Sequence, residues 1–258
     1  MAHNRWPVVL LPGGVLPVRP AYEALLAELG GDADAHAKDL EMYAGETVPP
    51  PGYSLETEVD GILRTAADAG FQTFHLVGYS AGGASSLAFA ASHPDRLRSL
   101  ALLEPAWAGR AGRTPEEAAV YDRLAAIREL PPDQVMPAFV RIQLAPGVEP
   151  PRPAPGPAPP WMASRLAAMR AFPAVLDATD LDLDALRSFG RPVYFALGAR
   201  SNPDLYRRIA QRLAETFPDF TLEVYPDRHH FDPPHRIEPA RLAAALRRLW
   251  DRAESGER

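Results

Sequence analysis

The chain has 258 residues, of which 47% are hydrophobic and 23% charged, with a net charge of −6 and no cysteine. That balance suits a globular protein with enough chain to bury a full core as one domain over residues 1–258. It excludes a disulfide framework, a thiolate nucleophile and a cysteine-built metal site, and it gives no reason to expect nucleic acid or an anionic membrane as partner. The first residues lead straight into a strand pattern without the charged start and apolar run of a secretion signal. No window approaches the ~20 apolar residues of a membrane span, so a cytoplasmic location is expected.

In chain order, Val8 to Leu11 reads as a buried strand that ends in the tight loop Pro12-Gly13-Gly14. Pro20 to Leu29 reads as a helix, with proline in its first turn, Ala21, Leu25, Leu26 and Leu29 on one side, and Gly30-Gly31 as the stop. Ala35 to Tyr43 is a weaker strand candidate, and Val48 to Gly52 a proline loop. Ser54 caps a helix to about Ala69, with Glu56 and Glu58 in its first turn and Gly70 at its end.

Residues 74 to 84 carry the clearest chemical signal. Phe74 to Val77 is apolar enough for a buried strand, Ala84 to Ala91 is a helix pattern, and Gly78-Tyr79-Ser80-Ala81-Gly82 lies between them. A G-x-S-x-G at a sharp strand-to-helix turn is a nucleophile elbow, which lifts the serine hydroxyl out at the carboxyl edge of a sheet. The glycines have a steric reason, because a turn this tight leaves no room for a Cβ at Gly78 or Gly82. The helix N-terminus behind Ser80 supplies free N–H groups and a positive dipole end where an oxyanion forms.

After His93-Pro94, Arg98 to Leu103 is a strand ending at Glu104-Pro105. Further strands are expected at 193–197 and 220–225, with helices over about 203–217 and 238–252. Strands alternating with helices predict an α/β fold, a mostly parallel sheet covered on both faces, with ligands at the carboxyl ends of strands. Residues 108 to about 185 break the alternation with three helix-like segments: Pro115 to Arg128, Pro132 to Leu144 and Trp161 to Phe172. Between them, residues 145–160 hold eight prolines in sixteen positions and read as a stiff extended loop. The parallel pattern resumes afterwards, so this segment is expected to be a helical cap over the serine. Trp107, Tyr121, Phe139, Trp161 and Met162 are candidates for an apolar pocket, although each alone fits internal packing of the cap.

Serine needs a base. His229, His230 and His235 cluster after the last strand; His230 is favoured, with the other two expected to be exposed loop histidines. Together with Asp232 they look superficially like metal ligands, but all lie within seven residues and adjacent histidines rarely converge on one ion, so neither metal nor cofactor is expected. The imidazole also needs an acceptor for its second N–H. Glu104, a carboxylate that follows four apolar residues, is favoured over Asp204, which more simply supports a helix start behind Pro203.

The elbow around Ser80, the order of serine, acid and histidine, and the His230-Phe231 to Glu238-Pro239 ending together resemble the α/β-hydrolase superfamily over essentially the whole chain. In that family the acid usually follows the next-to-last strand; Glu104 resembles the subset that carries it after the strand following the elbow. The resemblance implies an oxyanion hole from the Ala81 N–H and from the loop after the first central strand, here Gly14, with Pro12 standing where the family usually has histidine. It also implies a sheet that lacks the family's N-terminal hairpin. Serine as nucleophile, rather than aspartate, favours acyl transfer over dehalogenase or epoxide hydrolase chemistry. The expected function is hydrolysis of a small or medium carboxylic ester or lactone through an acyl-enzyme, the partner being a small ester-like molecule. Carbon–carbon bond hydrolysis, lyase chemistry and a ligand receptor on the same fold are the alternatives.

Overall fold

A computed structural model describes residues 5–152 and 156–256. Its elements follow the expected alternation: β1 (Trp6–Leu11), α1 (Val18–Leu29), β2 (Ala33–Ala37), α2 (Leu55–Asp68), β3 (Phe74–Tyr79), α3 (Ala81–Ser92) and β4 (Leu97–Leu103). Four helices come next, α4 (Pro115–Ala126), α5 (Pro132–Ile142), α6 (Met162–Asp177) and α7 (Leu183–Arg187). The chain then returns to the sheet with β5 (Val193–Gly198), α8 (Arg208–Thr216), β6 (Phe220–Tyr225), α9 (Pro234–Ile237) and α10 (Pro239–Ser255). The six strands form one sheet in the order β2-β1-β3-β4-β5-β6, and every ladder is parallel.

Alternate side chains of each strand feed opposite faces, which is why the strands read as continuous apolar runs. Val8, Leu10, Val77, Ala101 and Leu103 pack against Leu25 of α1 and Leu242, Leu246 and Leu249 of α10. Val9, Leu11, Leu76, Leu100 and Leu102 pack on the other face against Ile62 of α2, Leu87 of α3 and Ile209 of α8. Each such side chain, fully removed from water, contributes about 1.5–3 kcal/mol.

Several boundaries differ from the sequence expectation. The weak strand candidate at 35–43 divides into β2 and a 3₁₀ turn at Glu41–Tyr43. The buried Glu58 carboxylate draws this turn onto α2 by accepting the N–H groups of Glu41 at 3.0 Å and Met42 at 3.1 Å. The helix after the elbow begins directly at Ala81, because Gly82 and Gly83 belong to its first turn. α6 runs through Pro173 to Asp177, past the expected end at Phe172. Within the proline-rich stretch, residues 153–155 lie outside the described residues, and the rest is irregular. Among the described residues, no helix is long and apolar enough to cross a membrane.

Candidate active site

The register of the sheet brings the first two groups together. Tyr79 pairs with Leu103 at the last step of the β3–β4 ladder, so Ser80 and Glu104 are the next residues on neighbouring strands. Both adopt left-handed backbone, with φ of 53° at Ser80 and 45° at Glu104. Such a conformation costs a residue with a side chain roughly 1–2 kcal/mol and persists only where the surroundings over-determine it. Here the Ser80 N–H donates to Leu103 O at 3.1 Å, the Ala106 N–H to Ser80 O at 2.9 Å and the Glu104 N–H to Ala196 O at 3.3 Å.

The glycines are required where the elbow reading placed them. A Cβ on Gly78 would lie 2.6 Å from Gly82 O, and one on Gly82 would lie 2.5 Å from Pro12 O. That second approach is bonded, since the Gly82 N–H donates to Pro12 O at 3.1 Å and seats the loop after β1 on the start of α3. A Cβ on Gly14 would come 3.9 Å from Ala81 Cβ. Among the described residues, neither the Gly14 N–H nor the Ala81 N–H donates to a protein acceptor. The Ala81 N–H is also one of the four at a helix start that have no partner within the helix.

His230 closes the arrangement. Its Nε2 lies 3.0 Å from Ser80 Oγ and its Nδ1 3.0 Å from Glu104 Oε2. Glu104 is only 5% exposed, and its other oxygen accepts the Gly198 N–H at 2.8 Å. The carboxylate is thus anchored by the end of β5, the strand whose loop was the competing origin of the acid. Asp204 is exposed in the turn after that loop, where Asn202 Oδ1 accepts its N–H at 3.0 Å, and it stays apart from His230.

The other two histidines are not exposed, against expectation. His229 is 8% exposed and His235 fully buried. His235 packs 4.6 Å from the Tyr79 ring and 5.1 Å from the Tyr22 ring. Burial, helped by Arg236 and His230, pushes its pKa down to about 3, and burial lowers that of His229. Apolar and aromatic packing draws this loop inward, and a polar-looking sequence gives no sign of it. Among the described residues, no three His, Asp or Glu side chains gather in a way that could hold a metal ion.

Three tyrosines complete the surroundings, and none was singled out from the sequence. Tyr206 stacks on the His230 ring at 4.5 Å and 15°. The Tyr79 hydroxyl donates to His230 O. The Tyr43 hydroxyl donates to Gly14 O at 2.6 Å and tethers the glycine loop. Tyr79 had a signal in the variable position of the G-x-S-x-G; Tyr43 and Tyr206 had none.

Beside Ser80 opens a narrow apolar cavity of about 50 Å³ between the sheet rim and the helices inserted after β4. Tyr121 and Phe139 line it, as expected, together with Met169 and Phe172. Trp107, Trp161 and Met162 do not. Trp107 is 1% exposed and packs under the Arg212 guanidinium at 4.5 Å.

With this geometry in hand, likeness to known proteins is informative. The model of a family described as "Alpha/beta hydrolase family" matches residues 8–245. "Putative carbamate hydrolase RutD" from Caulobacter segnis is 36% identical over 56 residues, 22% of this chain and only 21% of that protein. A thermophilic esterase from Thermogutta terrifontis superposes with a TM-score of 0.69 at 19% identity, covering 96% of this chain and 90% of that one. A meta-cleavage product hydrolase from Pseudomonas fluorescens IP01 gives 0.66 at 18% identity, covering 96% and 91%. At such identities the structural likeness speaks for the fold alone.

Proposed function

The chain belongs to the alpha/beta hydrolase family, and from that premise we propose that it is a serine hydrolase cleaving a small or medium carboxylic ester or lactone through an acyl-enzyme. The observation that carries this reading is His230 lying 3.0 Å from both Ser80 Oγ and Glu104 Oε2. In the proposed cycle His230 Nε2 takes the Ser80 proton as Oγ bonds to the substrate carbonyl carbon. The Gly14 and Ala81 N–H groups hold the oxygen that becomes negative. The tetrahedral species collapses, the alkoxide leaves, and it takes the proton from His230. A water molecule then gives a proton to His230 as it attacks the acyl carbon. When this second tetrahedral species collapses, Ser80 Oγ leaves and takes that proton back from His230, releasing the acid. Glu104 accepts from Nδ1 throughout, fixing the tautomer and stabilising the imidazolium.

The reading of residues 108 to about 185 as a cap that selects the substrate is part of this proposal, as is 1–258 as one domain. The apolar cavity lining favours an uncharged, mainly hydrocarbon group next to the scissile bond. Carbamates join the test panel because of the short likeness to a protein named for carbamate hydrolysis. Ser80→Ala is expected to abolish turnover of 4-nitrophenyl acetate and butyrate. Retention of substantial turnover in that variant refutes the nucleophile. Tight stoichiometric binding without an acyl-enzyme burst would point to a receptor instead.

A further inference from the structure

Arg165 stands in the first turn of α6 and is only 4% exposed. A guanidinium is costly to bury unless its N–H groups are paired. Among the described residues its Nε and Nη1 are buried without a hydrogen-bond partner. The nearest carboxylate, Asp39, lies 3.7 Å from Nη2 and is itself 45% exposed. Its Oδ1 already accepts the Val18 N–H at 2.9 Å. Other arginines of the insert are held more firmly: Arg113 by Asp177 at 2.7 Å, Arg170 by Leu130 O at 2.7 Å.

The placement of Arg165 matters as much as its isolation. Its guanidinium carbon sits 3.5 Å over the Tyr43 ring, and Tyr43 lines the cavity that holds Ser80. Ala168, Met169 and Phe172 follow three, four and seven positions later on α6 and line the same cavity. Helical spacing puts residue 165 at the end of that face, about 10 Å of helix axis from Phe172, where its guanidinium covers Tyr43 at the edge of the cavity without itself lining it. Through the Tyr43 hydroxyl, which donates to Gly14 O, the cation is one side chain away from the carbonyl-binding loop.

We propose that Arg165 receives a carboxylate of the substrate, so that the preferred ester or lactone carries a second, anionic carboxylate several bonds from the scissile carbonyl. This rests on the serine-hydrolase reading above. The unpartnered Nε and Nη1 each offer an N–H to a carboxylate oxygen, and the apolar surroundings strengthen the pair. An interaction of this kind is worth roughly 10- to 100-fold in kcat/KM.

The test compares matched substrates at low ionic strength. Mono-4-nitrophenyl glutarate is set against 4-nitrophenyl butyrate, and 4-acetoxybenzoate against phenyl acetate, so the carboxylate is offered on either side of the ester. In the unmodified protein one anionic substrate is expected to exceed its neutral partner by about tenfold or more. Arg165→Met is expected to bring that ratio to near one, and Arg165→Lys to retain part of it, with thermal unfolding followed for both. The proposal is overturned if neither anionic ester is preferred by the unmodified protein, a result that needs no variant to fold. It is equally overturned if the preference survives in Arg165→Met. Failure of the neutral esters to turn over at all would instead sink the hydrolase reading.

Discussion

The rim of the sheet and the helical insert above it are held by different forces. At the rim, main-chain hydrogen bonds fix Ser80 and Glu104, and glycines admit backbone contacts that no Cβ would allow. In the insert, side chains do the holding: Glu117 is fully buried against Arg212 at 2.5 Å, and Arg113 and Arg110 share Asp177. The two regions are stitched by the Asn202 N–H to Gln143 O at 2.9 Å and the Ala145 N–H to Arg200 O at 3.0 Å. The difference teaches a division of labour. Backbone geometry positions Ser80 and Glu104, and on the proposed function the replaceable side chains of the insert select which molecule reaches them.

That division predicts where damage appears. Glu104→Gln strikes the rim and is expected to lower kcat by about 10²–10⁴-fold with little change in KM. Esterase kinetics check this, and an unchanged kcat would break the assignment. Glu117→Ala strikes the insert and strands the Arg212 charge, costing about 3 kcal/mol of stability by denaturant unfolding. Intact molecules of that variant are expected to keep kcat for 4-nitrophenyl acetate within about fivefold, because the rim does not depend on that pair.

Acid lability is expected to reside in the sheet half. Burial holds His235 neutral with a pKa near 3, and burial together with Arg98 does the same for His75. Both take up a proton more readily when unfolded, so their contribution is complete above about pH 6.5 and is lost as the pH falls from there towards 3. Two such groups steepen the decline by up to ~2.7 kcal/mol per pH unit, which unfolding at pH 7, 6, 5 and 4 would measure. His75→Gln with His235→Gln should flatten that slope. Phe172→Ala, in the cavity wall, is expected to shift acyl-chain preference by about tenfold without changing the rank of the rim variants. Asp204→Asn should stay within about twofold of the parent in every assay.

The contrast also explains what could be read from the amino-acid order. The elbow was legible because Gly78 and Gly82 report a local steric limit, and Glu104 because an acid after four apolar residues demands a partner. Strand register then made it the neighbour of Ser80. The burial of His235 was not legible, since it depends on Tyr22 and Tyr79 arriving from distant segments. Nor was the choice among Trp107, Tyr121, Phe139, Trp161 and Met162, because a helical insert presents aromatic residues inward and outward alike. Arg165 gave no signal at all: its isolation is a property of what the fold leaves out around it.

The most direct test of the central arrangement is covalent labelling by a fluorophosphonate, read by intact and peptide mass spectrometry. The account predicts one adduct per chain, on Ser80, absent in His230→Ala, slowed in Glu104→Gln and unaffected in Asp204→Asn. An adduct on another residue, or labelling of Ser80 at an undiminished rate in His230→Ala, would contradict it.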